Sequence, residues 1–461
     1  MMARVWTKAQ KDAISARDGT LLVSAAAGSG KTAVLVQRVI ERLIDPDHPC
    51  DADRLLVVTF TNAAAAEMRQ RIAEAIDRML EEDPGNTRLQ RQQILLPQAH
   101  ISTIHSFCSE LVREHFYQLG ISPDFRISDS NEMDLLREEA MQQVMEDLYE
   151  QGEEDFRRLS DCFSNGRDDR RLFRLVNTLY DFVRSHPFPE RWLEEKAAMY
   201  HPAGDAAHTL WGQTVLEYAD SAILYAITLT QNALDLMEQD PKLDAAYRPA
   251  FSSDLAGLLS LQEAAQAKQW DTLSQRIRQF SFEKLKAVRG YKDDPLKGKI
   301  SGNRDTVKKT LEKLSALFFA SDEQCLEDIR RMAPIIEQLL SAVKRFGDVL
   351  DACKAARRIA DFGDLEHWAL RLLVRPTQAG FVCTEVAQEL SLQFDEVMVD
   401  EYQDTNEAQD MIFRAVSQQE NNLFMVGDVK QSIYRFRQAM PEIFLRRKEA
   451  YPAYDLSLIH I

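Results

Sequence analysis

Ser24-Ala25-Ala26-Ala27-Gly28-Ser29-Gly30-Lys31-Thr32 follows an apolar run, Leu21-Leu22-Val23, and leads into a helical pattern from Ala33 to Leu43. Strand, small-residue loop, lysine, hydroxyl and helix in that order are the setting in which a glycine-rich phosphate loop has physical meaning. Successive backbone N–H groups line a concavity, and the following helix aims its positive dipole end at the same spot. Lys31 is placed to reach β- and γ-phosphates, and the Thr32 hydroxyl to ligate Mg2+. Ala25 stands where such loops usually begin with glycine, a departure that still leaves the turn room. The expectation is an ATP and Mg2+ site formed by Ala25, Ala26, Ala27, Gly28, Ser29, Gly30, Lys31 and Thr32. A glycine-rich turn without a ligand is the plainer alternative.

The rest of the composition bounds the setting. At 461 residues, with 45% hydrophobic and 28% charged residues, the chain has the make-up of a soluble globular protein of two or three domains. No stretch approaches the roughly 20 apolar residues of a membrane span, and Met1-Met2-Ala3-Arg4-Val5-Trp6 carries no secretory apolar core. Six cysteines are scattered without a Cys-x-x-Cys pair, which reads as reduced thiols in a cytoplasmic protein. The formal charge of −17 does not advertise nucleic-acid binding. It does not exclude it, because a groove needs only local positive potential.

Strand candidates are Leu21–Ser24, Leu55–Phe60, Ala99–Thr103, Glu396–Val399 and Leu423–Val426, most followed by a turn or a helical pattern, as in a parallel α/β sheet. From about Asn131 to Ala360 the chain instead has Leu, Glu, Gln, Arg and Ala at helical spacing, and reads as an all-helical insertion. Within it, residues 293–302 read as an exposed loop. A second acidic signal, Asp400-Glu401-Tyr402-Gln403-Asp404, closes the strand Glu396–Val399, where ligands of open α/β sheets bind. Asp400 is suited to hold Mg2+, and Glu401 to position and deprotonate the water that attacks the γ-phosphate. Most of the chain separates this acid pair from Lys31. The expected architecture is therefore a discontinuous α/β parallel-sheet P-loop NTPase domain, residues 1–125 and 361–461, with a large all-helical insertion at 126–360.

In these segments the sequence resembles superfamily 1 DNA helicases of the UvrD/RecB type, which implies a RecA-like fold for the parallel-sheet domain. Trp6-Thr7-Lys8-Ala9-Gln10-Lys11-Asp12-Ala13 is similar to the family's Q motif, in which Gln10 would read the adenine edge. Thr59 to Arg69 resembles motif Ia and Ile101 to Cys108 motif Ib, both of which lie along single-stranded DNA. Val426 to Arg437 is similar to motif III, in which Gln431 would sense the γ-phosphate while Tyr434 and Phe436 offer faces to bases. The resemblance implies Lys31, Glu401 and Gln431 as catalytic residues. It also implies DNA contacts from Thr59, Thr61, Asn62, Thr103, His105, Tyr434 and Phe436. Phe60 and Phe107 read more simply as core. His105 beside Ser106 lacks a third partner for a hydrolase triad.

Ala25-Ala26-Ala27, Arg54 to Asn62, Asp361 to His367 and Gly427 to Ser432 narrow the resemblance to AddA-type helicase-nuclease subunits. That resemblance implies 3′→5′ unwinding of DNA at double-strand break ends, single- and double-stranded DNA as ligands, and an AddB-like partner in a heterodimer. Motifs IV to VI and a nuclease region are not visible, so an N-terminal fragment is expected, binding ATP·Mg2+ weakly and hydrolysing it poorly, with exonuclease activity only in the full-length protein. The final residues, Asp455 to Ile461, need not be native. Basic residues Lys284, Lys286, Arg289, Lys292, Lys297, Lys299, Arg304, Lys308 and Lys309 read either as a duplex-DNA contact or as a solvated loop. The competing functional readings are a UvrD-like repair helicase, a P-loop transferase, and a nucleotide-binding module without motor activity.

Overall fold

Leu55-Leu56-Val57-Val58-Thr59 is buried at every position, which is how a strand covered on both faces reads. The computed structural model describes residues 6–17, 19–26, 28–152, 154–163, 168–291, 294–378, 380–432 and 438–456. Ten strands lie among them: β1 (Leu21–Ala25), β2 (Leu55–Thr59), β3 (His100–Thr103), β4 (Arg126–Ile127), β5 (Ile359–Ala360), β6 (Val374–Thr377), β7 (Gly380–Cys383), β8 (Glu396–Val399), β9 (Leu423–Gly427) and β10 (Ala453–Leu456). The chain divides into two compact units, residues 1–153, 160–193 and 341–461 forming the first, and 154–159 with 194–340 the second.

The first unit is built on a six-stranded sheet in the order β10-β1-β9-β8-β2-β3, with every neighbouring pair parallel. Side chains alternate between two cores, as the two-residue period of a strand requires. Leu22, Leu56, Val58, Val397, Val399 and Met425 enter one core; Leu21, Val23, Val57, Met398, Phe424 and Val426 enter the other. Covering both faces leaves the C-terminal edge as the place for a ligand. Because β9 lies between β1 and β8, the segments that leave these three strands meet at that edge. A buried ion pair braces this arrangement: Arg38, on the helix Lys31–Ile44, holds Glu396 at the start of β8 at 2.6 Å, and Arg42 adds a second contact at 3.0 Å. The architecture is a RecA-like α/β domain carrying a long helical insertion.

The insertion leaves through β4 and returns through β5, which pair in parallel, Arg126 opposite Ile359 and Ile127 opposite Ala360. Between them the described segments are helices, among them Ser130–Gln151, Arg170–Arg184, Leu210–Met237, Pro241–Gln266 and Asp322–Arg357. In the second unit, Leu216, Ile223, Leu258, Leu261, Leu273, Val307, Leu314 and Phe318 share one core. Two sequence expectations change here. Residues 295–302 are not a loop but the start of the helix Pro295–Leu317, because Asp294 caps it by accepting from Lys297 N at 2.8 Å and proline occupies its first position. Arg304 leaves the basic cluster, being buried and paired with Asp254 Oδ2 at 2.7 Å; Lys292 lies outside the described residues. Asp455 and Leu456 fall in β10, opposite Ser24 and Ala25 of β1. No helix among the described residues is long and apolar enough to cross a membrane.

Candidate active site

The loop after β1 has the backbone of an anion cradle. Gly28 at φ 74° and Gly30 at φ 84° occupy the left-handed region, where a side chain would be strained. Gly30 also caps the helix Lys31–Ile44 without a side-chain hydrogen bond, so the first-turn N–H groups keep their donors for an anion. Ala25 ends β1 and is buried, Ala26 and Gly28 are exposed, and Thr32 is half-buried on the first turn; Ala27 lies outside the described residues. Gln10 sits in a capping box with Thr7 and donates from Nε2 to Ser29 O at 2.9 Å, tying the first helix to the loop. Three buried polar atoms around the loop and the acid pair, Ser29 Oγ, Gln431 Nε2 and Asp404 Oδ1, have no hydrogen-bond partner among the described residues. Unpaired buried polar atoms are uncommon and costly, and here all three belong to one site.

Lys31, Glu401 and Gln431 converge. The Lys31 ammonium donates to Glu401 Oε2 at 3.0 Å and to Gln431 Oε1 at 3.1 Å. Glu401 is held at φ 52° and ψ 41°, a left-handed conformation that costs a non-glycine residue about 1–3 kcal/mol and that surrounding structure must enforce. Burial, and then the Glu401 charge beside it, push the Asp400 carboxyl up to about 6. The same two causes bring Asp404 to about 6. Three carboxylates around one lysine leave negative charge for a cation to offset, although no group of three or more ligating side chains is arranged to hold a metal alone among the described residues. That combination fits Mg2+, which takes one or two carboxylates and completes its shell with phosphate and water.

A cavity of about 1070 Å3 in the first unit opens from Asp400 and Glu401 toward Thr59, Asn62, Thr103 and Phe362. Two helices begin on it. Thr61 caps Asn62–Glu82 by accepting from Ala64 N at 3.1 Å, and Thr103 caps Ile104–Glu114 by accepting from Ser106 N at 3.2 Å. Thr59 Oγ1 donates to Thr61 O at 3.1 Å. The threonine hydroxyls are therefore occupied in shaping two helix N-termini, whose free N–H groups and dipoles suit phosphate. His105 Nε2 donates to Glu366 Oε1 at 3.0 Å and its ring stacks on Phe362, centroids 4.4 Å apart. Glu366 is buried; burial alone would raise its carboxyl, but the His105 hydrogen bond and charge, with Gln409, keep it below the usual range.

A family model described as the UvrD/REP helicase N-terminal domain matches residues 6–452. The chain belongs to that family. Similar proteins from three bacteria are each named as a subunit of an ATP-dependent helicase/nuclease. The chain is 41% identical over 456 residues to the one from Acetivibrio thermocellus, covering 97% of this chain and 36% of that protein. It is 43% identical over 467 residues to the one from Desulforudis audaxviator, covering 99% and 37%. With the Bacillus licheniformis protein the identity is 42% over 454 residues, covering 97% and 37%. The chain thus spans little more than a third of the length of the relatives it matches.

Within this UvrD/REP helicase domain, the structure brings Gln10, Ser29, Lys31, Asp400, Glu401 and Gln431 to one edge of the sheet. It brings Thr59, Thr61, Asn62, Thr103 and His105 to the adjoining cavity. Tyr434 and Phe436 lie outside the described residues. Phe107 is core, as expected, whereas Phe60 is half-buried and lines the cavity. Ser106 bonds Thr103 Oγ1 at 2.9 Å and not His105, so the His105–Glu366 pair has no nucleophile attached among the described residues. Sequence reasoning missed three side chains. Gln403 and Glu366 are buried polar residues that each bond a distant segment, Gln403 through Asp428 N and Glu366 through His105 and Gln409, and Phe362 is an exposed aromatic at a helix start, 55% accessible. The segment Asp361 to His367 drew attention only as a resemblance.

Proposed function

We propose that this chain is the ATP-hydrolysing, DNA-translocating part of a helicase-nuclease subunit that unwinds duplex ends 3′→5′ for homologous recombination repair of double-strand breaks. The reading places it in the cytoplasm, in a heterodimer with an AddB-like subunit, on single- and double-stranded DNA. Nuclease activity is proposed for the full-length protein. The observation that carries the reading is that Lys31 joins Gln431 to Glu401, and Glu401 lines one end of the cavity whose other walls are two helix N-termini and an exposed phenylalanine.

In this reading residues 1–125 and 361–461 form the nucleotide-binding domain, and 126–360 the helical insertion with a duplex-DNA contact. Gln10 reads the adenine edge, and the N–H groups from Ala25 to Thr32 hold the phosphates. Thr32 and Asp400 would hold Mg2+, which when bound neutralises charge on the phosphates. Lys31 exchanges its ion pair with Glu401 for the γ-phosphate, leaving Glu401 free to accept a proton from the attacking water. Gln431, whose amide nitrogen is buried without a partner among the described residues, changes contacts as the γ-phosphate departs and passes that change to the DNA side. There Thr59, Thr61, Asn62, Thr103 and His105 position the backbone while Phe362, with Tyr434 and Phe436, stacks on bases.

The test is oligonucleotide binding with and without a non-hydrolysable ATP analogue. A motor domain shows single-strand affinity that changes with the analogue. A small-molecule kinase shows no DNA binding, and a scaffold shows no coupling between the two ligands. Either of the last two results overturns the reading.

A further inference from the structure

The Gln403 side chain is 1% exposed and every polar atom of its amide is committed. Nε2 donates to Glu401 Oε2 at 2.7 Å and to Asp404 Oδ2 at 3.3 Å, while Oε1 accepts from the backbone N–H of Asp428 at 2.9 Å. The Gln403 carbonyl also accepts from Ser432 Oγ at 3.4 Å. One short side chain therefore spans from the carboxylate that faces Lys31 to the turn Asp428–Gln431 that ends on the same lysine. The fold reserves space for it. A Cβ on Gly427 would collide with Gln403 Oε1 and stand 2.8 Å from the Phe444 ring, so only glycine lets the amide lie there.

We infer that Gln403 is the positioning residue that sets the Glu401 carboxylate and couples it to the Asp428–Gln431 turn. The inference rests on the hydrolysis reading above. A neutral amide is the group this task needs. It donates to two carboxylates without removing the charge of either, and the Asp428 N–H fixes which end of the amide faces them. A cation there would form a closed ion pair with Glu401 and compete with Lys31. An apolar side chain would leave Glu401 held on one side only, with its left-handed backbone less firmly enforced. When the turn moves with Gln431, the Asp428 N–H moves too, and Gln403 transfers that shift to Glu401.

The test uses the 461-residue chain with Mg2+, ATP and oligo-dT, measuring nucleotide affinity at equilibrium and hydrolysis in a single turnover. Gln403→Met keeps the volume and loses every bond; Gln403→Glu keeps the acceptor for Asp428 but has no donor for Glu401. Both are expected to slow hydrolysis by about 10–100-fold, the cost of misplacing a reacting group by a fraction of an ångström to an ångström, with the ATP dissociation constant within about twofold of the parent. Gly427→Ala, which displaces the amide from the other side, is expected to reproduce that split. If Gln403→Met does not fold, the Gln403→Glu result decides. Parental rates in Gln403→Glu, or affinity lost in step with rate, overturn the inference and leave the hydrolysis reading standing. A parent chain that binds no nucleotide overturns the hydrolysis reading itself, and this inference with it.

Discussion

Lys31 and Glu401 stand 370 positions apart in the chain and 3.0 Å apart in the fold. The pair is possible because β9 separates their strands by one position in the sheet and because the insertion is returned to its starting point before β8 begins. The lysine is 9% exposed, and a glutamate oxygen and a glutamine oxygen take the place of water around its side-chain nitrogen.

Replacing Lys31 with alanine removes the side chain that bonds Glu401 and, in the proposed reading, a phosphate. Charge-assisted hydrogen bonds contribute about 1.5–3 kcal/mol, so MgATP affinity is expected to fall by about 10–100-fold. Titration with a fluorescent nucleotide measures it, and an unchanged dissociation constant would sink the assignment of Lys31 to phosphate.

Phe362→Ala separates the two ligands. The ring is exposed, stacked on His105 and on the cavity wall. Base stacking on an aromatic is worth about 1–3 kcal/mol, so oligo-dT affinity by fluorescence anisotropy should drop by roughly 5–150-fold. Nucleotide affinity without DNA should stay put. A variant that loses both alike would point to damage to the helix Phe362–Leu373 instead.

In the second unit, Arg304 and Asp254 are 4% and 2% exposed, and the guanidinium lies 5.3 Å from the centres of both the Phe251 and Phe282 rings. Asp254→Ala strands the arginine in that apolar setting, and the expected loss of stability is about 3–5 kcal/mol. Replacing the pair together with leucine and methionine should recover most of it. Urea denaturation compares the two; a single variant as stable as the parent contradicts the buried-pair argument.

Acid should weaken the first unit through His367. Burial, and then the charge of Arg184, hold its imidazole down to about 4, while Nε2 donates to the Arg184 carbonyl at 2.8 Å. The unfolded chain takes up that proton near 6.5, so the contribution of a neutral His367 is complete above pH 6.5 and disappears as pH falls toward 4. Urea midpoints for the parent and His367→Gln are expected to approach one another across that window. A gap that stays constant with pH rules out this linkage.

The small-residue loop after β1, the five strand candidates and the Asp400-Glu401 pair were legible in sequence because each is local: a run of small residues, a run of apolar ones, an acid after a strand. The helix at Pro295 was missed because Gly298 and Gly302 weigh toward a loop, while the Asp294 cap and proline that start it carry the opposite signal. β4 and β5 escaped because two-residue strands have no period to detect, and β6, β7 and β10 because they are half-buried or exposed at most positions and lack the buried apolar run that marks β8 at the same length. Gln403 and Glu366 show the deeper limit. A buried amide or carboxylate owes its place to donors from distant segments, and nothing in its immediate sequence distinguishes it from a solvated one.

The pairing of Arg126-Ile127 with Ile359-Ala360 has a further consequence for how this chain tolerates change. Residues 128–358 depart and return through adjacent strands. Those of them in the first unit, 128–153, 160–193 and 341–358, also make bonds to the sheet's own segments, Arg184 with Asp364 and the Ser185 carbonyl with Ala408 N, so only residues 154–159 and 194–340 lie beyond these anchors. Closing a loop between fixed ends costs only about 0.6 kcal/mol more for each doubling of its length. Helices of the second unit can be added, trimmed or exchanged while the distance between Lys31 and Glu401 is preserved, which makes the β4–β5 clasp and the helices packed beside it a socket that accepts different attachments.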